Sequence, residues 1–320
     1  MVMAQSLFKL LKQKNPQGNI TLMAPDWSRP ILYRMPEVDA VVSMPVGHNS
    51  LRLGTRYQLA RDLRQEQFDQ AIVLPGSLKS ALIPWFARIP RRTGFVGEQR
   101  WGLLNDIRRL DKAKLPRNVE RYIALGLDDN QPLPVTLPNP ALSPDQAVLP
   151  ETLSKFNLNL DKPIIGLCPG AEYGPAKRWP EVHYAKVAET MFQRGWQIWL
   201  FGSHKDQTVT KEINRLCGNV CQDLSGSTSL GEAVDLMSKT SYVITNDSGL
   251  MHVAAALKCE VIALYGSSSD TFTPPLSERS HILNLYLDCS PCFKRECPLG
   301  HTNCLQHLLP DQVLEILKKS

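Results

Sequence analysis

Residues 243–257, Val-Ile-Thr-Asn-Asp-Ser-Gly-Leu-Met-His-Val-Ala-Ala-Ala-Leu, constrain the fold more than any other stretch. An apolar run of strand length ends in a polar turn and restarts as an Ala-rich helix. Asp247 and Ser248 are N-cap residue types, whose side-chain oxygens can accept the orphan N–H groups of a first helical turn. Gly249 lets another group approach the backbone closely, because no Cβ stands in the way. A strand-to-helix turn of this kind aims N–H donors and the positive helix end at one point, which suits a phosphate. His252 follows one turn later, on the side that can face the same ligand. The pattern equally fits an ordinary capped helix behind a buried strand, so the turn alone assigns no ligand.

The rest of the chain repeats the theme. Ahead of this turn the sequence predicts strands at 163–168, 197–201 and near 221, each leading through a polar loop to a helix, and a further strand at 261–265 behind it. The loops contain Glu172, Tyr173 and Lys177, then Asp206, then Thr228. In an open parallel sheet they all leave the carboxyl edges of strands, where such sheets bind ligands. Lys177 can neutralise a diphosphate and Asp206 can accept from ribose hydroxyls. The first half alternates likewise, with helices predicted at 3–12, 28–34, 51–65 and 77–87 and strands at 20–23, 38–44 and 70–75. Both halves therefore read as α/β, with parallel sheets covered by helices. Between Asp128 and Pro150 six prolines exclude a long helix and mark a stiff connector. The predicted organisation is a first domain over 1–128, a linker over 129–150 and a second domain over 151–320.

Composition narrows the partners. Of 320 residues 43% are hydrophobic and 21% charged, and no apolar run reaches the roughly 20 residues that span a bilayer. Residues 1–14 are amphipathic with lysines among them, unlike an export signal. A net charge of +5 fits an acidic substrate or an anionic membrane surface and is too low for a dedicated nucleic-acid binder. The first half is rich in arginine, a residue suited to carboxylate and phosphate. Arg61 and Arg64 read as a solvated helix face. Lys79, Arg91 and Arg92 are expected near strand-end loops, where an acceptor could bind. Trp85, Phe86 and Trp101 read as core.

Eight cysteines without an export signal favour free thiols or metal ligands over a disulfide framework. Four of them, Cys289, Cys292, Cys297 and Cys304, are spaced so that they could close a tetrahedral structural zinc site around Gly300. The alternatives are a compact loop of buried thiols or opportunistic disulfides. A helix is predicted over 310–319.

The runs Gly170-Ala-Glu-Tyr-Gly-Pro-Ala-Lys-Arg-Trp-Pro180 and Thr245-Asn-Asp-Ser-Gly-Leu-Met-His252 resemble glycosyltransferase family 9. So do Met23-Ala-Pro-Asp-Trp, Arg34-Met-Pro-Glu-Val, Gly102-Leu-Leu-Asn-Asp and Phe272-Thr-Pro-Pro-Leu, so that the likeness covers nearly the whole chain. The resemblance implies a GT-B fold of two Rossmann-like domains facing a cleft, and inverting transfer of heptose from ADP-heptose to the heptosyl/Kdo-lipid A inner core of lipopolysaccharide. It implies no catalytic metal, a lipid-linked acceptor on the first domain, and work at the cytoplasmic face of the inner membrane. By position, Lys177 would hold the diphosphate, Asp206 the ribose and Thr228 would lie near adenine. Ser248 and Gly249 would contact phosphate beside Asp247 and His252, with Glu172 and Tyr173 in the same loop as Lys177. In the family a strand and a glycine-rich loop ending in the general-base aspartate precede the segment matched by Met1–Ser6. The expectation is an amino-terminal sheet without its first strand and a chain without that base. A sugar-nucleotide epimerase of the same plan, or a sugar-nucleotide-binding protein without catalysis, are the competing readings.

Overall fold

The computed structural model describes residues 1–47 and 50–318. Two compact units divide the chain. The first contains Met3–Leu32 and Glu37–Pro138, and the second contains Tyr33–Pro36 and Asn139–Ser320. The division falls within the proline-rich stretch, except that Val2 and the short run Tyr33–Pro36 belong to the second unit.

The first unit opens with helix α1 (Gln5–Lys14), whose buried face carries Leu7, Phe8 and Leu10. Strand β1 (Thr21–Ala24), the short helix α2 (Arg29–Leu32), strand β2 (Ala40–Ser43) and helix α3 (Leu53–Leu63) follow. Next come β3 (Gln70–Ile72), α4 (Leu78–Phe86), β4 (Arg91–Phe95), β5 (Asp106–Arg108) and α5 (Asn118–Leu125). Every strand pair is parallel, as the alternation requires. The strands form two separate sheets, β1-β2 and β3-β4-β5, instead of one continuous sheet. Helices α3 and α4 pack around Ala60, Ile83, Ala87 and Ile89, with Met23, Met44 and Phe68 against them.

Three expectations for this unit need correction. Arg91 and Arg92 do not sit in a strand-end loop: they open β4, at the amino end of a parallel strand. Arg91 pairs with Asp106 at 3.0 Å, and Arg92 donates to the carbonyls of Ile89 and Leu103. Other arginines are likewise spent on the backbone. Buried Arg56 donates to Leu51 O and Lys79 O, Arg64 to Phe86 O, and Arg100 to Pro75 O. Finally, Trp85 and Trp101 are exposed and not core. Lys79 lies in the first turn of α4, on the carboxyl side of β3.

The second unit begins with α6 (Leu149–Lys155) and then alternates. Its elements are β6 (Ile164–Cys168), α7 (Glu181–Gln193), β7 (Gln197–Leu200), α8 (Gln207–Leu216), β8 (Gln222–Asp223), α9 (Leu230–Met237), β9 (Tyr242–Asn246), α10 (Gly249–Ala256), β10 (Glu260–Tyr265), β11 (Ser280–Asn284), α11 (Asn303–Gln306) and α12 (Pro310–Lys318). The expected closing helix thus reaches Lys318, and residue 319 lies outside the described residues. Six parallel strands run in the order β11-β10-β9-β6-β7-β8. Strands β6 and β9 are buried at every position, which explains why both are mostly apolar and why Thr245 and Asn246 at the end of β9 need partners. One core joins both strands to α7 and α12 through Ile165, Trp179, Tyr184, Ile244, Ile262 and Leu317. From β6 the chain steps outward through β7 and β8, then returns to the other side of β6 with β9. The loops leaving β6 and β9 therefore diverge, and this is where open α/β sheets bind ligands.

Within the same unit Arg34 forms a two-pronged pair with Asp235, Nε to Oδ1 at 2.8 Å and a second bond from Nη2 to Oδ2. Asp235 is fully buried and also accepts the backbone N–H of Asp145 at 2.9 Å. These bonds fasten the Tyr33–Pro36 run and the chain after the prolines to α9.

Candidate active site

Between the carboxyl ends of β6 and β9 stands the pair Lys177–Asp247, Nζ to Oδ2 at 2.5 Å, with Asp247 almost wholly buried. Lys177 ends a short 3-10 turn, Pro175–Lys177, in the long loop after β6, and Asp247 is the first residue after β9. What brings them together is Asn246, the last residue of β9, which is fully buried. Its Oδ1 accepts the Trp179 N–H and the Tyr184 hydroxyl, each at 3.1 Å, and its Nδ2 donates to Pro169 O at 2.7 Å. A polar residue in so dry a place is tolerable only because its donor and acceptor are both used. Trp179 is anchored again through Nε1 to Leu308 O at 2.7 Å. Asn246 was not singled out from sequence; the available signal was an amide side chain closing an apolar strand.

Helix α10 starts just beyond. Ser248 occupies its N-cap position in extended conformation, yet its hydroxyl caps nothing and instead lies 3.5 Å from Thr245 Oγ1. This corrects the expectation that Asp247 and Ser248 satisfy the first turn. Asp247 is turned toward Lys177, and the first-turn N–H groups have no side-chain cap. Gly249 is exposed, and apart from its chain neighbours and its own helix no atom of the described residues lies within 4 Å of where a Cβ would stand, so the approach to the helix end is open. Uncapped N–H groups, a positive helix end and an adjacent ammonium are the features that suit an anion. His252, one turn on, is held neutral: burial lowers its imidazole to about 4, against the opposing pull of Asp247.

The remaining predicted residues lie along the same sheet edge, in the loops after β6, β7 and β8. Asp206 caps a short turn ahead of α8, its Oδ2 accepting from Ser203 N at 2.8 Å and Ser203 Oγ at 2.7 Å. Its carboxylate lies so close to Gly170 that a Cβ there would meet Oδ1 at 2.6 Å. Thr228 follows β8 and donates to Leu224 O at 3.2 Å. Glu172 is exposed and pairs with equally exposed Lys205 at 2.7 Å. Tyr173 lies over the loop, its hydroxyl donating to Phe293 O at 2.8 Å and its ring facing Lys177 Nζ at 5.4 Å. The hydroxyls of Ser267 and Ser268, in the loop after β10, are buried without a hydrogen-bond partner among the described residues.

The zinc expectation for Cys289, Cys292, Cys297 and Cys304 finds no support in the geometry. The four line one cavity of about 20 Å³, and all eight cysteines are free of disulfides, as a chain of free thiols requires. Among the described residues no three His, Cys, Asp or Glu side chains are grouped so as to hold a metal ion. Backbone and hydroxyl contacts hold this segment instead: Ser290 Oγ donates to Gly266 O, Phe293 N to Ser267 O at 2.7 Å, and Ala176 N to Arg295 O at 3.0 Å. No helix among the described residues is long and apolar enough to cross a membrane.

Two parallel α/β units, one with an open helix start and a lysine at its switch point, are the GT-B plan, the fold class of this protein. The chain belongs to glycosyltransferase family 9 (heptosyltransferase), whose model matches residues 56–303. It is 46% identical to lipopolysaccharide heptosyltransferase 2 of Escherichia coli K12 over 99% of this chain and 94% of that protein. To lipooligosaccharide heptosyltransferase 2 of Haemophilus influenzae it is 45% identical over 100% of this chain and 95% of that one. The solved structure of Escherichia coli ADP-heptose LPS heptosyltransferase II superposes with a TM-score of 0.89 at 44% identity, covering 100% of this chain and 94% of the other. The protein is a glycosyltransferase.

Proposed function

We infer that this enzyme transfers heptose from ADP-heptose to the heptosyl/Kdo-lipid A inner core of lipopolysaccharide, with inversion at the anomeric carbon. The observation carrying the reading is Lys177 beside Asp247 at the switch point, in a chain 46% identical end to end to a lipopolysaccharide heptosyltransferase 2. In this reading the diphosphate lies on Lys177 and the first turn of α10, with Ser248, Gly249 and His252 around it. Asp206 receives the ribose, Thr228 borders the adenine, and Glu172 and Tyr173 flank the entry. As the glycosidic bond breaks, negative charge gathers on the departing ADP, and an ammonium with fixed N–H donors stabilises it without reorganising.

The attacking hydroxyl must lose a proton. Asp247 is committed to Lys177 and Asp206 to Ser203, so neither carboxylate is available as the base, and that task falls to a group outside the donor edge. The acceptor belongs to the first unit, where Lys79 is the candidate anion contact. Because that acceptor is lipid-linked, the enzyme works peripherally at an anionic membrane surface, the inner face of the inner membrane.

The test offers ADP-heptose with Kdo-lipid A, with heptosyl-Kdo-lipid A, or alone, and reads products by mass. Transfer to the heptosylated acceptor is expected. Transfer only to the unheptosylated one would reassign the step, and a changed sugar nucleotide without acceptor would establish an epimerase.

A further inference from the structure

The donor edge has a charge problem. A sugar nucleotide brings a negative charge on each phosphate, but Lys177 is already matched by Asp247, and Lys205 by Glu172. These ion pairs leave that part of the edge close to neutral before any ligand arrives. Arg295 offers the missing charge. Its guanidinium carbon lies 5.4 Å from the centre of the Tyr173 ring, the same distance at which Lys177 Nζ faces that ring. One aromatic side chain thus has two cations close to it, an arrangement that ring attraction supports and that leaves the Arg295 charge available to an anion.

The backbone shows that this placement is built. Arg295 O accepts the Ala176 N–H at 3.0 Å, one residue before Lys177. Gly174 packs so tightly on the same residue that a Cβ would stand 2.4 Å from Arg295 O. Tyr173 is tied to the neighbouring Phe293 carbonyl. Residues 293–295 and 173–177 are therefore locked face to face, while the Arg295 side chain is exposed and has no carboxylate partner among the described residues. A guanidinium is the side chain best matched to phosphate oxygens, because its planar fork donates two parallel bonds.

We propose that Arg295 is a second diphosphate-binding residue of the donor site, meeting the ligand together with Lys177 beside the Tyr173 ring. The proposal rests on the donor reading above and adds a binding group from the cysteine-bearing segment, which that reading leaves unused.

The experiment measures binding of ADP, adenosine and inorganic diphosphate to the full chain and to Arg295→Met and Arg295→Lys. Methionine keeps the length and apolar stem without the charge. Arg295→Met should weaken ADP and diphosphate about tenfold, the scale of one charge-assisted contact, and leave adenosine unchanged. Arg295→Lys should retain part of the affinity, and the salt dependence of ADP binding should flatten in Arg295→Met. Unchanged ADP affinity in Arg295→Met would overturn the proposal while sparing the donor reading. Equal weakening of adenosine would also overturn it, by showing a distorted loop. A wild-type chain that binds no ADP would overturn both.

Discussion

Asn246 accepts the backbone N–H of Trp179 at 3.1 Å, and that bond joins the loop bearing Lys177 to the strand bearing Asp247. The two residues are far apart in sequence, so the ion pair at the switch point depends on an amide that touches neither charge. Replacing Asn246 by Ala strands the Trp179 N–H, the Tyr184 hydroxyl and the Pro169 carbonyl in a dry core. The expected cost is about 3 kcal/mol, read by denaturant unfolding. The KM for ADP-heptose should also rise, since the Lys177 loop loses its tether; a loss of stability with KM unmoved would show that the loop is held by other contacts.

Gly170 makes a sharper prediction about the nucleotide. A methyl group there would stand 2.6 Å from Asp206 Oδ1. The carboxylate is the end of a short side chain and can yield, so Gly170→Ala should fold normally. Displacing Asp206 should weaken the ribose contact, raising KM for ADP-heptose roughly tenfold with little change in kcat, as loss of uniform binding does. An unaltered KM would remove Asp206 from the ribose site.

How much of this was legible beforehand varies by element. The β9–α10 turn was readable because an apolar strand followed by an Ala-rich helix leaves little choice for the residues between. Lys177 and Asp206 had weak support from their own surroundings and drew most of it from the family resemblance. Strand β4 was hidden because Arg-Arg-Thr-Gly-Phe lacks an apolar period; its strand character comes from pairing with β3 and β5. That is why the sequence alone places Arg91 and Arg92 near a strand-end loop and not in a strand. Asn246 was invisible as a pin, since a sequence shows an amide's need for partners but not which distant backbone supplies them. The cysteine spacing suggests a metal, but spacing records order along the chain and not whether the side chains meet as a set of ligands.

Two titrations should appear in the acid unfolding of the protein, in separate windows. His252 is lowered from its usual value to about 4 by burial, so the native state favours the neutral ring. Between roughly pH 6.5 and 4 the unfolded chain binds the extra proton, and stability falls as pH falls through that range. Asp106 is lowered to about 2, chiefly by its bond with Arg108, so its contribution is full above about pH 4 and lost as pH drops through 2. Denaturant midpoints measured against pH should show both declines. His252→Gln should reduce the first, to which His183, also lowered by burial, contributes, and Asp106→Asn should remove the second; a wild-type profile flat from pH 6.5 to 4.5 would contradict the neutral histidines.

The Lys177–Asp247 pair allows stability to be separated from catalysis. Lys177→Met removes the ammonium that faces the departing diphosphate, and kcat/KM should fall about 10²–10³-fold, the usual effect of losing one preorganised electrostatic group. The same substitution leaves Asp247 buried without its partner, a change that costs about 3 kcal/mol or more when the carboxylate cannot reach water. Adding Asp247→Asn to Lys177→Met takes away the stranded charge and should restore most of the lost stability. Activity should not return with it, because the group that stabilises the leaving ADP is still missing. Recovery of both in the double variant would mean that Lys177 acts only by holding Asp247 in place, and the catalytic role would pass to the uncapped end of α10.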